Sequence, residues 1–231
     1  MNIQHLTQEE IRIEQANFIN NVYSWMTGAL LLTGLIALWV SSTPEVIEFI
    51  FGNRIVFYGL LIAEFGCVSY LVSVIGKISS NTAIAVFLGY AALNGLTLAS
   101  IFYVFTSESI STTFFVTAGT FGVMSAYGYF TKSDLTTFRN LAFMGLIGLI
   151  IASVVNYFFQ NEMLYWLTTY AGILIFVGLT AYDTQKIKEM NIIGNQYTEE
   201  DSKEAILGAL TLYLDFINLF LFLLRIFGRR K

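Results

Sequence analysis

Leu207-Gly-Ala-Leu-Thr-Leu-Tyr-Leu-Asp-Phe-Ile-Asn-Leu-Phe220 is an apolar, helix-length run with an acid at its centre. Laid on a helix, Gly208, Thr211, Asp215 and Asn218 share one face, and Arg225 follows seven residues later. The other face is Leu, Ile and Phe. One polar stripe on an otherwise apolar helix places it inside a bundle, stripe inward. A charge in hydrocarbon costs roughly 2.5–3.5 kcal/mol on insertion scales, so acids kept there face a cavity, a partner or an ion. A second such acid, Asp183, closes the apolar run Val-Gly-Leu-Thr-Ala-Tyr-Asp-Thr-Gln at 177–185.

The rest of the chain fits this reading. Its 231 residues are 56% hydrophobic and 12% charged, where soluble domains carry about 25% charged residues. Mean hydropathy is +0.67. An all-α integral membrane protein follows. A spanning helix needs about 20 mainly apolar residues. Seven runs qualify: 22–40, 55–75, 82–105, 111–130, 140–159, 164–182 and 205–227. Pro44, the only proline, lies between the first two. No long polar block marks a separate soluble domain, so residues 22–231 read as one membrane domain. Residues 1–21 form a polar arm with a capping box, Thr7 with Glu10, and apolar Ile11, Phe18 and Val22 at helical spacing. The arm is expected to be a short surface helix. It lacks the features of a cleavable signal.

Lysine and arginine in short loops set orientation. With the N-terminus in the cytoplasm, the inside holds Arg12, Lys77, Lys132, Arg139, Lys186, Lys188 and Lys203, and the outside loops hold Arg54. Seven spans put Arg229, Arg230 and Lys231 outside, against that rule. Small residues recur at every third or fourth position: Ala91, Gly95, Ala99; Ala118, Gly122, Ala126; Gly145, Gly148, Ala152. These predict close helix packing.

Several chemistries lack their parts. Cys67 and His5 are each the only residue of their kind, which argues against a disulfide, a thiolate metal site and a Ser-His-Asp triad. No basic stripe supports nucleic-acid binding. The acids remain. Two carboxyl groups in contact share a proton and titrate as a unit, so Asp183 and Asp215 read as a pH-sensing dyad. They are also a candidate ligand pair for calcium, a hard cation that takes oxygen donors. Glu64, Asn218 and Thr211 are candidates for a cation path. No catalytic residue and no resident cofactor are expected. Two acids on successive spans also suggest an intramembrane aspartyl protease, but Leu-Tyr-Leu-Asp replaces the Gly-x-Gly-Asp such enzymes carry.

Gly-Leu-Thr-Ala-Tyr-Asp-Thr-Gln-Lys-Ile (178–187), the run at 207–220 and Val-Thr-Ala-Gly-Thr-Phe-Gly-Val-Met-Ser (116–125) together resemble the Bax inhibitor-1 family, also called the transmembrane Bax-inhibitor-motif family. The likeness extends from about residue 20 to the end of the chain. It is nearest to bacterial inner-membrane members. The resemblance implies seven helices with the C-terminal one surrounded by the other six. It implies a pH-sensitive calcium leak with Asp183 and Asp215 as the sensor, and Glu64 at an acid of the second helix near the pore. It implies a basic latch on that helix, for which Lys77 is the candidate. It also implies an alternative function, a non-catalytic regulator that binds a membrane protease or another membrane protein.

Overall fold

The computed structural model describes residues 7–231, and every long element among them is helical. His5 lies outside the described residues. The helices are α1 (Gln8–Ser41), α2 (Pro44–Gly52), α3 (Arg54–Val74), α4 (Ser80–Val104), α5 (Ser107–Phe130), α6 (Thr136–Phe159), α7 (Glu162–Met190) and α8 (Glu199–Phe227). Six of them, all but α2 and α5, are long and apolar enough to cross a membrane. The sequence predicts seven spans, and α5 is the difference. It is long enough at 24 residues, but serine and threonine dilute its hydropathy. Thr113 and Thr117 turn their hydroxyls back to the carbonyls of Ser109 and Thr113, both at 2.7 Å.

Local chemistry sets the helix ends. Thr7 and Glu10 form the capping box, with Thr7 N–H donating to Glu10 at 2.7 Å. Pro44 opens α2, where a missing N–H costs nothing. Asn53, Ser79 and Thr106 cap α3, α4 and α5. Two boundaries differ from the sequence reading. The arm is not a separate surface helix: residues 8–21 run unbroken into the first span. Phe18, Ile19 and Val22 are buried, and so is Glu14, which accepts a 2.8 Å bond from Gly194 N–H. The segment after Asp183 is not loop either. Tyr182, Thr184, Gln185 and Ile187 are buried, and that packing carries α7 on to Met190, leaving a loop of 191–198.

The chain divides into two compact units. The first contains the residues up to Phe105, Lys188–Tyr213 and Lys231. Here α1 lies along α4, and Gly95 makes that possible: a Cβ there would sit 2.8 Å from both Ile36 Cβ and the Thr33 carbonyl. Ala91 and Ala99 are fully buried beside it. The start of α8 is tied to the start of α4, with Ser80 N–H donating to Glu199 at 3.1 Å. At the far end Lys231 reaches back to α4, donating from Nζ to the Phe102 carbonyl at 2.7 Å and from its backbone to Val104 at 3.0 Å.

The second unit contains Thr106–Ile187 and Leu214–Arg230. Ala142, Phe176, Leu179, Leu219, Phe222 and Leu223 form its core. Glycines set the helix spacing. A Cβ on Gly172 would enter the Phe222 ring, one on Gly178 the Phe138 ring, and one on Gly128 the backbone of Ala181. Gly122 and Ala126 are exposed, and neither Gly122 nor Gly148 has a neighbour within 4 Å of a Cβ position. That part of the small-residue pattern faces outward and is not a packing seam.

Burial differs sharply between helices. The most apolar window of α8 is 72% buried, against 6% in α3 and in α6. The outward residues of α3 and α6, such as Ile62, Phe65, Met144 and Ile150, are exposed and apolar, the surface that a hydrocarbon solvent requires.

Candidate functional site

Asp183 and Asp215 come together in the second unit, and their carboxyl groups share a hydrogen bond. Asp215 is 5% exposed and Asp183 is half-buried. A hydrogen bond between two carboxyl groups needs one of them protonated, since an ionised carboxylate only accepts. Asp215 Oδ2 is buried and makes no hydrogen bond. The dyad therefore carries an unused acceptor inside the helix pair.

The surroundings fix its position. On the α8 side, the Phe216 ring packs edge-on against Phe114 and Phe121, with centroids 5.4 and 5.5 Å away. On the α7 side, Gly128 lets α5 approach the backbone at Ala181, two residues before Asp183. Two residues after it, Gln185 clamps the α5–α6 turn, donating to Ser133 O at 2.8 Å and accepting from Leu135 N–H at 3.1 Å. That clamp sets the first turn of α6 and so places Arg139. The Arg139 guanidinium acts electrostatically on Asp183 and lies 5.8 Å from the centroid of the adjacent Tyr182 ring. Lys186 Nζ lies 6.0 Å from the same ring. In the turn itself, Asp134 accepts from Thr136 N–H at 2.8 Å.

The other expected site residues are more dispersed. Glu64, in the first unit, accepts a 2.8 Å bond from the Thr97 hydroxyl. It begins a polar group that includes Asn94, whose amide donates to the Tyr90 hydroxyl at 3.4 Å and whose Oδ1 is buried and unpartnered. Thr211 and Asn218 bond back to carbonyls four residues earlier, at 3.0 and 2.8 Å. Lys77 is exposed in the 3-10 turn after α3 and makes no ion pair among the described residues. The cation beside the dyad is Arg139, which the sequence reading passed over as a loop charge. Its place in the first turn of α6, three residues ahead of the Ala142 core contact, was the available signal. Tyr213 was also missed. It is fully buried and its hydroxyl is 2.7 Å from that of Thr33.

No group of three or more His, Cys, Asp or Glu side chains among the described residues is placed to hold a metal ion. Calcium takes six to eight oxygens. The dyad alone supplies too few to complete that shell.

These features define a class: a helical integral membrane protein with a hydrogen-bonded acid pair buried where two of its long helices meet. Sequence comparison gives the family. The chain matches the family described as Inhibitor of apoptosis-promoting Bax1 over residues 15–231, and it belongs to that family, the Bax inhibitor-1 family. It is 52% identical to the inner membrane protein YbhL of Escherichia coli K12 over 218 residues, covering 93% of this chain and 92% of that one. An uncharacterised protein of Borreliella burgdorferi is 45% identical, with 98% of each chain covered. An uncharacterised membrane protein of Streptococcus pyogenes serotype M3 is 33% identical, with 96% of each covered.

Proposed function

We propose that this protein is a pH-sensitive passive cation pathway, a calcium leak, in which the Asp183–Asp215 pair is the proton sensor. The observation that carries the reading is the carboxyl–carboxyl hydrogen bond with Asp215 Oδ2 left unpartnered. When the shared proton leaves, two buried negative charges face each other, and Arg139 and Lys186 are the nearby cations of α6 and α7. When a proton is taken up, the attraction between Arg139 and Asp183 is lost. Acidification thus loosens the charge-paired arrangement and favours opening. Within the first unit, Glu64, held by the Thr97 hydroxyl, is the other candidate acid for cation passage.

The reading includes a membrane arrangement. Helix α5 crosses as the seventh span, the other six helices surround α8, and the N-terminus is cytoplasmic. The heavy burial of α8 and the lysine and arginine distribution support this. The protein sits in a bacterial inner membrane, as the name of the Escherichia coli relative says of that protein.

Calcium flux into dye-loaded liposomes tests the reading, compared at about pH 6 and about pH 8. Wild-type flux should rise at the lower pH, and Asp183→Asn and Asp215→Asn should remove that dependence. Flux no greater than in empty liposomes, with folded protein, would overturn the leak and leave the regulator of a partner membrane protein as the function. Unchanged pH dependence in both variants would remove the dyad from the mechanism.

A further inference from the structure

An open cavity of about 920 Å³ lies at the turn between α6 and α7, within the second unit. Asn156, Asn161, Glu162, Tyr165, Trp166 and Arg230 supply its chemistry. The turn is tight: Gln160 ends α6 in the left-handed region at φ 49°. Asn156 Oδ1 accepts from Asn161 N–H at 2.8 Å, and Asn161 Oδ1 accepts from Leu164 N–H at 2.9 Å. Each amide thus commits its oxygen to the turn, and its NH2 group is the end left to meet a ligand. Arg230 arrives from the C-terminal tail. Its neighbour Arg229 accepts from Thr106 N–H at 2.9 Å, which fixes the backbone there. Two amide donors and a guanidinium suit a phosphate group.

The same wall carries Glu162, a cation partner, and aromatic faces. Trp166 packs edge-on against Tyr165, with centroids 5.5 Å apart, and stacks on Tyr170 at 6.0 Å. Arg225 lies 5.4 Å from the centroid of the Tyr165 ring and adds positive potential under the cavity. Around it, Tyr157, Phe158 and Phe159 are 76%, 74% and 77% exposed at the end of an apolar spanning helix. Aromatic side chains in that position mark the headgroup level of a bilayer. A purely anionic headgroup would meet Glu162 unfavourably, and a free phosphate would leave Glu162 and the indole unused.

We propose that this cavity binds the headgroup of a zwitterionic phospholipid. The phosphate sits on Arg230 and the Asn156 and Asn161 amides, and the ammonium sits against Glu162 and the Trp166 face. The site is independent of the dyad.

Native mass spectrometry of the full chain tests it, with phosphatidylethanolamine, phosphatidylglycerol or inorganic phosphate added to the detergent-purified protein. Wild type should retain one phosphatidylethanolamine in preference to phosphatidylglycerol and hold no phosphate. Arg230→Ala should weaken lipid retention about tenfold, the scale of one charge-assisted hydrogen bond. Glu162→Gln should move the preference toward phosphatidylglycerol, and Arg229→Ala should change neither. Arg230 is exposed, so its removal leaves the fold intact, which thermal unfolding checks. Equal retention by Arg230→Ala, an unmoved preference in Glu162→Gln, or phosphate bound as well as lipid would each overturn the proposal.

Discussion

Replacing Gly128 by alanine should damage both stability and the acid pair. An added Cβ would lie 2.9 Å from Ala181 Cα and 2.8 Å from its carbonyl carbon, with the carbonyl oxygen nearer still. An ordinary carbon–carbon contact is about 3.5–4.0 Å, so α5 and α7 must part by about 1 Å. All three obstructing atoms are backbone, and no rotamer change relieves them. Overpacking of this kind costs about 1–3 kcal/mol, which lowers the unfolding midpoint by roughly 2–12 °C for a chain of this size. Asp183 lies two residues beyond Ala181 on the same helix. A shift of about 1 Å exceeds the few tenths of an ångström over which a hydrogen bond holds, so the pH dependence of flux that the proposed function requires should weaken as well. Gly122→Ala is the matched control, since nothing lies within 4 Å of its Cβ position. It should be neutral or stabilising by up to about 1 kcal/mol through helix propensity. Thermal unfolding in detergent, followed by tryptophan fluorescence, reads both. Equal midpoints for the two variants would refute the claim that α5 and α7 touch through Gly128.

Tyr213→Phe should destabilise by about 0.5–1.5 kcal/mol, the net worth of the 2.7 Å bond to Thr33, whose hydroxyl keeps the Ala29 and Ala91 carbonyls. In a double-mutant cycle, Thr33→Val should cost less beside Tyr213→Phe than alone, and strictly additive midpoints would contradict the pairing. At the α5–α6 turn, hydrogen bonds from the Thr136 side chain and backbone hold the Asp134 carboxyl below its ordinary range. A lowered folded value means that Asp134 stabilises at neutral pH, and that the contribution is lost as pH falls below about 3.9 and through the folded value. Asp134→Asn should therefore flatten the acid limb of the stability–pH curve, and an unaltered limb would count against the Thr136–Asp134 hydrogen bond.

The helices were legible because a membrane imposes one rule, continuous apolar length, and the seven predicted runs each lie almost wholly within an observed helix. Boundaries were less legible where packing overrode composition. Residues 8–21 look like a solvated arm, yet Glu14 and Phe18 are buried. Residues 183–190 carry Lys186, Lys188 and Glu189, yet Ile187 and Gln185 anchor them as helix. Small-residue spacing was legible in part. Ala91, Gly95 and Ala99 do meet α1, but Gly122 shows the same spacing and faces outward. Spacing gives the face of a helix that is narrow, and only the neighbouring helix decides whether that face is used. The glycines that set the second unit, Gly128, Gly172 and Gly178, belong to no such pattern, because each accommodates one ring or carbonyl.

The acid pair was legible for a different reason. An aspartate in an apolar helix is costly enough that its presence is information by itself, and two such aspartates have few places to go but toward each other. The partner cation was not legible, because Arg139 looks like any charge near a membrane surface. Three placements bring it to Asp183. Gly128 admits α5 to the backbone of α7, Gln185 ties the α5–α6 turn to α7, and Tyr182 offers its ring to the guanidinium. All three partners lie on α7, within three residues of Asp183. The segment that carries Asp183 also holds the guanidinium that acts on its charge. Under the proposed function, a proton gained or lost at the dyad is therefore felt first at the start of α6, and that is where the proposed gating movement should begin.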